Sequence, residues 1–106
     1  MNFEKNSDSL LLIPTFNEAQ NISSLLNEIS IYFKEVLVVD DCSKDDTLNL
    51  ISDKNIKKIS HFLNLGQGGA LETGFLYFLN NTNLDYIITF DGDGQHRAKD
   101  AFDMIN

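Results

Sequence analysis

Apolar residues fall along this chain in short blocks, and the spacing inside the blocks alternates between two patterns. Residues 10–13 (Leu-Leu-Leu-Ile) form a continuous apolar run stopped by Pro14, which reads as a strand buried on both faces. Ile22, Leu25, Leu26, Ile29, Tyr32 and Phe33 then recur at intervals of three and four, one face of an amphipathic helix. Residues 36–39 (Val-Leu-Val-Val) repeat the strand pattern. Ser43, with Asp46 three residues on, predicts a capped start for a short second helix carrying Leu48 and Ile51. Residues 56–62 predict a weaker third strand, and Leu71, Phe75, Phe78 and Leu79 the apolar stripe of a third helix. A fourth strand is expected over 86–90 and a fourth helix from about Lys99.

Strands apolar on both faces and alternating with helices predict the α/β class: a parallel sheet covered on both sides, joined by right-handed crossovers. Ligands in such sheets bind beyond the carboxyl ends of the strands. Polar clusters fall at those ends: Pro14-Thr15-Phe16-Asn17-Glu18, Asp40-Asp41 and Asp91-Gly92-Asp93.

Composition narrows the partners. The 106 residues suit one domain, and sixteen Asp+Glu against eight Lys+Arg give a net charge of −8, which argues against nucleic acid or an anionic membrane surface as main partner. An acidic chain that handles phosphates needs a cation. The single cysteine, Cys42, excludes an intrachain disulfide and fits a reducing, cytoplasmic setting. The apolar run at 10–13 is far shorter than a signal h-region or a bilayer span.

Three constellations carry candidate chemistry. After the fourth predicted strand, Asp91 and Asp93 stand at i and i+2, on one side of extended backbone, while Gly92 and Gly94 permit close approach by another group. Two such carboxylates at ~4 Å repel by ~1 kcal/mol in water and ~4 kcal/mol at an effective dielectric of about 20, and a hard divalent cation reverses that sign. A polar turn capping a buried strand is the alternative. An EF-hand is excluded because Phe102 stands where the bidentate Glu is required. Asp40-Asp41 reads as a ligand pair or as acids favoured at a helix N-terminus. The stretch 64–70 (Asn-Leu-Gly-Gln-Gly-Gly-Ala) invites a phosphate-cradle reading but lacks the third small residue of a dinucleotide fingerprint and the Gly-Lys-Ser/Thr of a P-loop. It reads first as a tight turn before a closely packed helix. His61 and His96 are not spaced as a metal pair. A receiver-like signalling module, a phosphatase with an aspartyl nucleophile and a non-catalytic α/β interaction domain are the rival classes. Receivers and such phosphatases place their acidic motif after the first strand, and here it follows later ones.

Taken together and in order, residues 13–18, 38–43, 64–71 and 90–96 resemble the family 2 glycosyltransferases, in particular the branch similar to dolichyl-phosphate mannosyltransferase. The resemblance covers residues 10 to about 100. It implies a GT-A, Rossmann-like sheet of order 3-2-1-4 that binds a UDP- or GDP-linked sugar through Mg²⁺ or Mn²⁺, for transfer to an acceptor such as a polyprenyl phosphate. Carried over by position, it implies a nucleotide-sugar site of Pro14, Phe16, Glu18, Asp40, Asp41, Gln67, Asp91 and Gly92, with Asp91, Asp93 and Gln95 on the metal. Two departures stand out: no basic residue near Gln67, and Arg97-Ala98 where a proline often follows the Gln-His pair. The resemblance further implies that residues 1–106 form a single donor-binding domain incomplete at its C-terminus, inactive alone, with acceptor site, general base and membrane contact lying in missing segments. It also leads to the expectation of a homo-oligomer formed through the exposed edge of the fourth strand.

Overall fold

The computed structural model describes residues 4–90 and 102–103. The apolar runs become a four-stranded, all-parallel sheet of order β3-β2-β1-β4, as the resemblance implied. Its strands are β1 (Asn6–Thr15), β2 (Phe33–Asp40), β3 (Ile56–Ser60) and β4 (Tyr86–Thr89). The helices are α1 (Ile22–Tyr32), between β1 and β2, and α2 (Gly66–Asn81), between β3 and β4.

Period-two alternation sorts the strand side chains onto the two helical layers. Leu11 and Ile13 of β1 and Val36 and Val38 of β2 face α1, where Ile22, Leu25, Leu26 and Ile29 complete one buried cluster. Leu10, Leu12, Leu37 and Val39 face the other way and pack on Ala70 of α2, with Leu71, Tyr77, Phe78 and Ile87 at the margin. Both faces are therefore dry along residues 10–13 of β1 and 36–39 of β2, which is why those runs show no polar alternation.

Two predicted elements differ from what forms. The expected helix after β2 is a single 3-10 turn, Leu48–Leu50, preceded by a loop. Its presumed cap is used elsewhere: the Ser43 hydroxyl donates to the Asp40 carboxylate instead of closing a helix end. In α2 the predicted apolar stripe packs only in part, with Leu71 and Phe78 against the core. Phe75 and Leu79 are exposed, and the buried positions are Ala70 and Gly74. A Cβ at Gly74 would lie 2.4 Å from both methyls of Leu12, so the missing side chain sets how closely α2 approaches β1. Small residues make this contact, and a search for large apolar residues passes over them. Of the expected fourth helix, Phe102 and Asp103 are helical, with Phe102 packed on Tyr32 and Phe33 at ring-centroid distances of 5.3 and 6.1 Å; the remainder lies outside the described residues.

Candidate functional site at the carboxyl ends of the strands

The register Thr15↔Asp40↔Ser60 aligns the carboxyl ends of β1, β2 and β3 in one row. The ladder extends one step further, with the Asp41 amide donating to the Thr15 carbonyl and the His61 amide to the Asp40 carbonyl, both at 2.9 Å. On the other side of β1, the Phe90 amide donates to the Leu12 carbonyl at 2.8 Å, so Phe90 lies at that same end of the sheet.

At this row the two acids of β2's end separate. Asp40 is fully buried, and its Oδ1 accepts from the Thr15 hydroxyl at 3.1 Å and from the Ser43 hydroxyl, while Oδ2 accepts from the Ser43 amide at 2.9 Å. Asp40 thus ties β1 to β2 and shapes the following loop. Asp41, 4% exposed, points to the other side. Its Oδ1 accepts from the Leu65 amide at 2.8 Å and lies 2.9 Å from His61 Nδ1, and its Oδ2 accepts from the Gly66 amide at 2.8 Å. Burial pushes the Asp41 carboxyl up, but the hydrogen bonds from His61, Leu65 and Gly66 and the attraction of His61 together hold it below the usual carboxylate range. Gly66 adopts φ +84°, a conformation open to glycine, and this turn presents both amides to Asp41 as α2 begins.

A second set of bonds clasps the loop after β1 to the loop after β2. The Asn17 amide donates to Ser43 Oγ at 2.8 Å and the Lys44 amide to Asn17 Oδ1 at 2.9 Å. The Glu18 amide donates to Thr47 Oγ1 at 2.9 Å, and the Ala19 amide to Asp45 Oδ2 at 3.2 Å. Asp45 also accepts from the amide and hydroxyl of Thr47, and the Thr47 hydroxyl is the main reason its carboxyl sits below the usual range. Asn17 and Cys42 take left-handed backbone conformations, φ 54° and 64°, at the two points where the chain leaves β1 and β2. Non-glycine residues persist in such conformations where surrounding contacts over-determine them, and the clasp supplies those contacts.

Between these loops and the start of α2 lies a cavity of about 170 Å³ lined by Pro14, Thr15, Phe16, Glu18, Asp41, Gln67 and Ala70. Pro14, Phe16, Glu18, Asp41 and Gln67 are residues the sequence singled out, and the fold brings them together. Asp40 is absent from the lining and acts behind it. Phe16 is 42% exposed at the rim. Asp91, Gly92, Asp93 and Gln95 lie outside the described residues, and among those described no group of three or more His, Cys, Asp or Glu could hold a metal ion. As a donor set, two carboxylates and a carboxamide oxygen are hard oxygen ligands, the chemistry that suits Mg²⁺ or Mn²⁺.

His61 and Thr73 were not singled out by the sequence as site residues. Their signal was positional: extending the β2–β3 register one step past Asp40↔Ser60 brings His61 beside Asp41.

A parallel sheet in this order with loops converging at its carboxyl end is a GT-A, Rossmann-like α/β architecture. It superimposes on the crystal structure of glucosyl-3-phosphoglycerate synthase from Mycobacterium tuberculosis in complex with Mn²⁺, UDP and glucosyl-3-phosphoglycerate, with a TM-score of 0.65 and 25% identity, over 80% of this chain and 33% of that one. The chain belongs to glycosyl transferase family 2, whose model matches residues 10–106. It is 39% identical over 104 residues to an uncharacterized protein of Methanocaldococcus jannaschii, a match covering 96% of this chain and 42% of the relative. It is 30% identical over 113 residues to UDP-N-acetylglucosamine–dolichyl-phosphate N-acetylglucosaminyltransferase of Methanococcus voltae, covering 90% of this chain and 45% of that protein. The chain thus spans less than half the length of these relatives.

Proposed function

We propose that this chain is the donor-binding part of a glycosyltransferase that moves a sugar from a UDP- or GDP-linked donor to a polyprenyl phosphate. The observation that carries the reading is the cleft at the carboxyl ends of β1 and β2, with an exposed aromatic at its rim and a buried carboxylate in its wall. The Methanococcus voltae relative, by its name, uses a UDP-linked sugar and a dolichyl phosphate, and the mycobacterial neighbour was crystallised with Mn²⁺ and UDP, which supports the donor and acceptor classes.

In this reading Phe16 stacks on the base and Pro14 forms a rigid wall. Asp41 accepts one further hydrogen bond. A carboxylate offers about four lone-pair positions. His61 and Leu65 take two on Oδ1 and Gly66 one on Oδ2, so a position on Oδ2 is left for a ring N–H or a ribose hydroxyl. Gln67, at the start of α2, faces the donor with a neutral side chain where family members often carry a base. Asp91, Asp93 and Gln95 would hold Mg²⁺ or Mn²⁺, which when bound offsets the diphosphate's charge that this acidic chain would otherwise repel.

Titration of UDP and of GDP into the ¹⁵N-labelled chain with Mg²⁺ tests this directly. Amide shifts are expected at residues 15–18, at Asp41 and over 64–70. Shifts confined to other surfaces, or none at millimolar nucleotide, would overturn the assignment of the cleft.

A further inference from the structure

His61 sits in a chain of contacts that the donor reading leaves unexplained. Its Nδ1 lies 2.9 Å from Asp41 Oδ1 and its Nε2 lies 2.8 Å from Thr73 Oγ1, on the second turn of α2. The side chains of His61 and Asp41 are 9% and 6% exposed, so this geometry is fixed inside the protein. The ionised carboxylate only accepts, which places a proton on His61 Nδ1. In the neutral ring Nε2 is then an acceptor, and the Thr73 hydroxyl donates to it. Every polar atom of the Thr73–His61–Asp41 path thus has a defined direction.

We propose that His61, anchored by Thr73, is a positioning residue that selects which oxygen of Asp41 meets the donor. With the His61 N–H and the Leu65 amide both on Oδ1, that oxygen is filled, and Oδ2 alone retains an accepting position. The carboxylate cannot rotate without breaking the His61 bond, so the acceptor is aimed before the nucleotide arrives, and aiming it in advance avoids an ordering cost on binding. Such a fixed acceptor favours a base that presents a ring N–H, as uracil and guanine do. It disfavours cytosine, whose ring N3 is itself an acceptor. This role rests on the donor-binding reading and adds to it the residue that fixes the Asp41 acceptor for such a base.

The test has one arm that needs no nucleotide. Long-range ¹H–¹⁵N spectra of the ring in the free chain at pH 7.5 should show His61 protonated on Nδ1 and bare on Nε2; the opposite tautomer overturns the proposal whether or not the cleft binds a donor. In the second arm, affinities for UDP, GDP and CDP are measured with Mn²⁺ for the parent chain and for His61→Leu, His61→Asn and Thr73→Val, each confirmed folded by circular dichroism. The better-bound of UDP and GDP should lose about tenfold or more in His61→Leu. His61→Asn, which restores an N–H toward Asp41, should recover most of that loss. The preference over CDP should shrink in His61→Leu and, to a smaller extent, in Thr73→Val. A merely structural role would lower all three affinities together, and an unchanged preference in folded His61→Leu overturns the proposal while leaving the donor reading intact. A parent chain that binds neither UDP nor GDP overturns the donor reading, and with it the base selection proposed for His61.

Discussion

Successive residues of extended backbone face opposite sides, so Asp40 and Asp41 part at the end of β2 and take on different work. Asp40, with no exposure, accepts from Thr15 and Ser43, and these donors are left without a partner if it is removed. Asp40→Ala should therefore destabilise the fold by about 1–3 kcal/mol, read as a lower urea midpoint, and a change under ~0.5 kcal/mol would show that the tie is dispensable. Asp40→Asn should recover little, because a carboxamide presents one accepting oxygen where the carboxylate presents two. At this scale the sequence exposed the acids without their division of labour. A dipeptide of two aspartates carries no mark of which one turns inward. His61 and Thr73 were hidden for the same reason, since their significance arises from register and helix placement. Pro14, Phe16, Glu18, Asp41 and Gln67, which line one cleft, were reached as a set only through the family resemblance.

The strands were legible because residues buried on both faces must be apolar throughout, and residues 10–13 and 36–39 are. Helix α1 was legible because its inner face carries large side chains at helical spacing. The segment after β2 was misread for a local reason: Ser43, Asp45 and Thr47 spend their side chains on the opposite loop, so residues that look like a helix start build a clasp instead. The clasp at Asp45 and the bonds that hold Asp41 together predict a pH response. Asp41 and Asp45 both have carboxyls below the ordinary aspartate range, so between their folded values and about 3.9 the unfolded chain binds more protons. Their contribution is fully present above the unfolded value and is lost as pH falls through the folded values. The melting temperature should be nearly flat from pH 7 to about 5 and should drop below about pH 4, with a shallower drop in Asp45→Asn. An identical acid profile for the variant would show that Asp45 carries none of it.

For the molecule as a whole, the sheet order and the helices on its two faces follow the pattern that the family resemblance implied. Among the described residues β4 pairs only with β1, leaving its outer edge open, and Tyr86 on it is 57% exposed. Open edges template pairing between copies. Self-association at micromolar concentration is therefore expected in sedimentation velocity, and Tyr86→Lys should weaken it; Ile88 is a poorer site for this test because it packs against the α1-side core. A monomer throughout that range would show that the edge is protected. In the proposed reading the cleft and the Asp91–Asp93 pair together hold a nucleotide diphosphate through a divalent ion. Calorimetry of the chain with UDP and GDP, with Mn²⁺ and then with excess EDTA, decides whether they do. Heat of binding should require Mn²⁺ and be lost in Asp91→Ala and in Asp93→Ala, and binding of equal strength in EDTA would show that no metal bridges the donor.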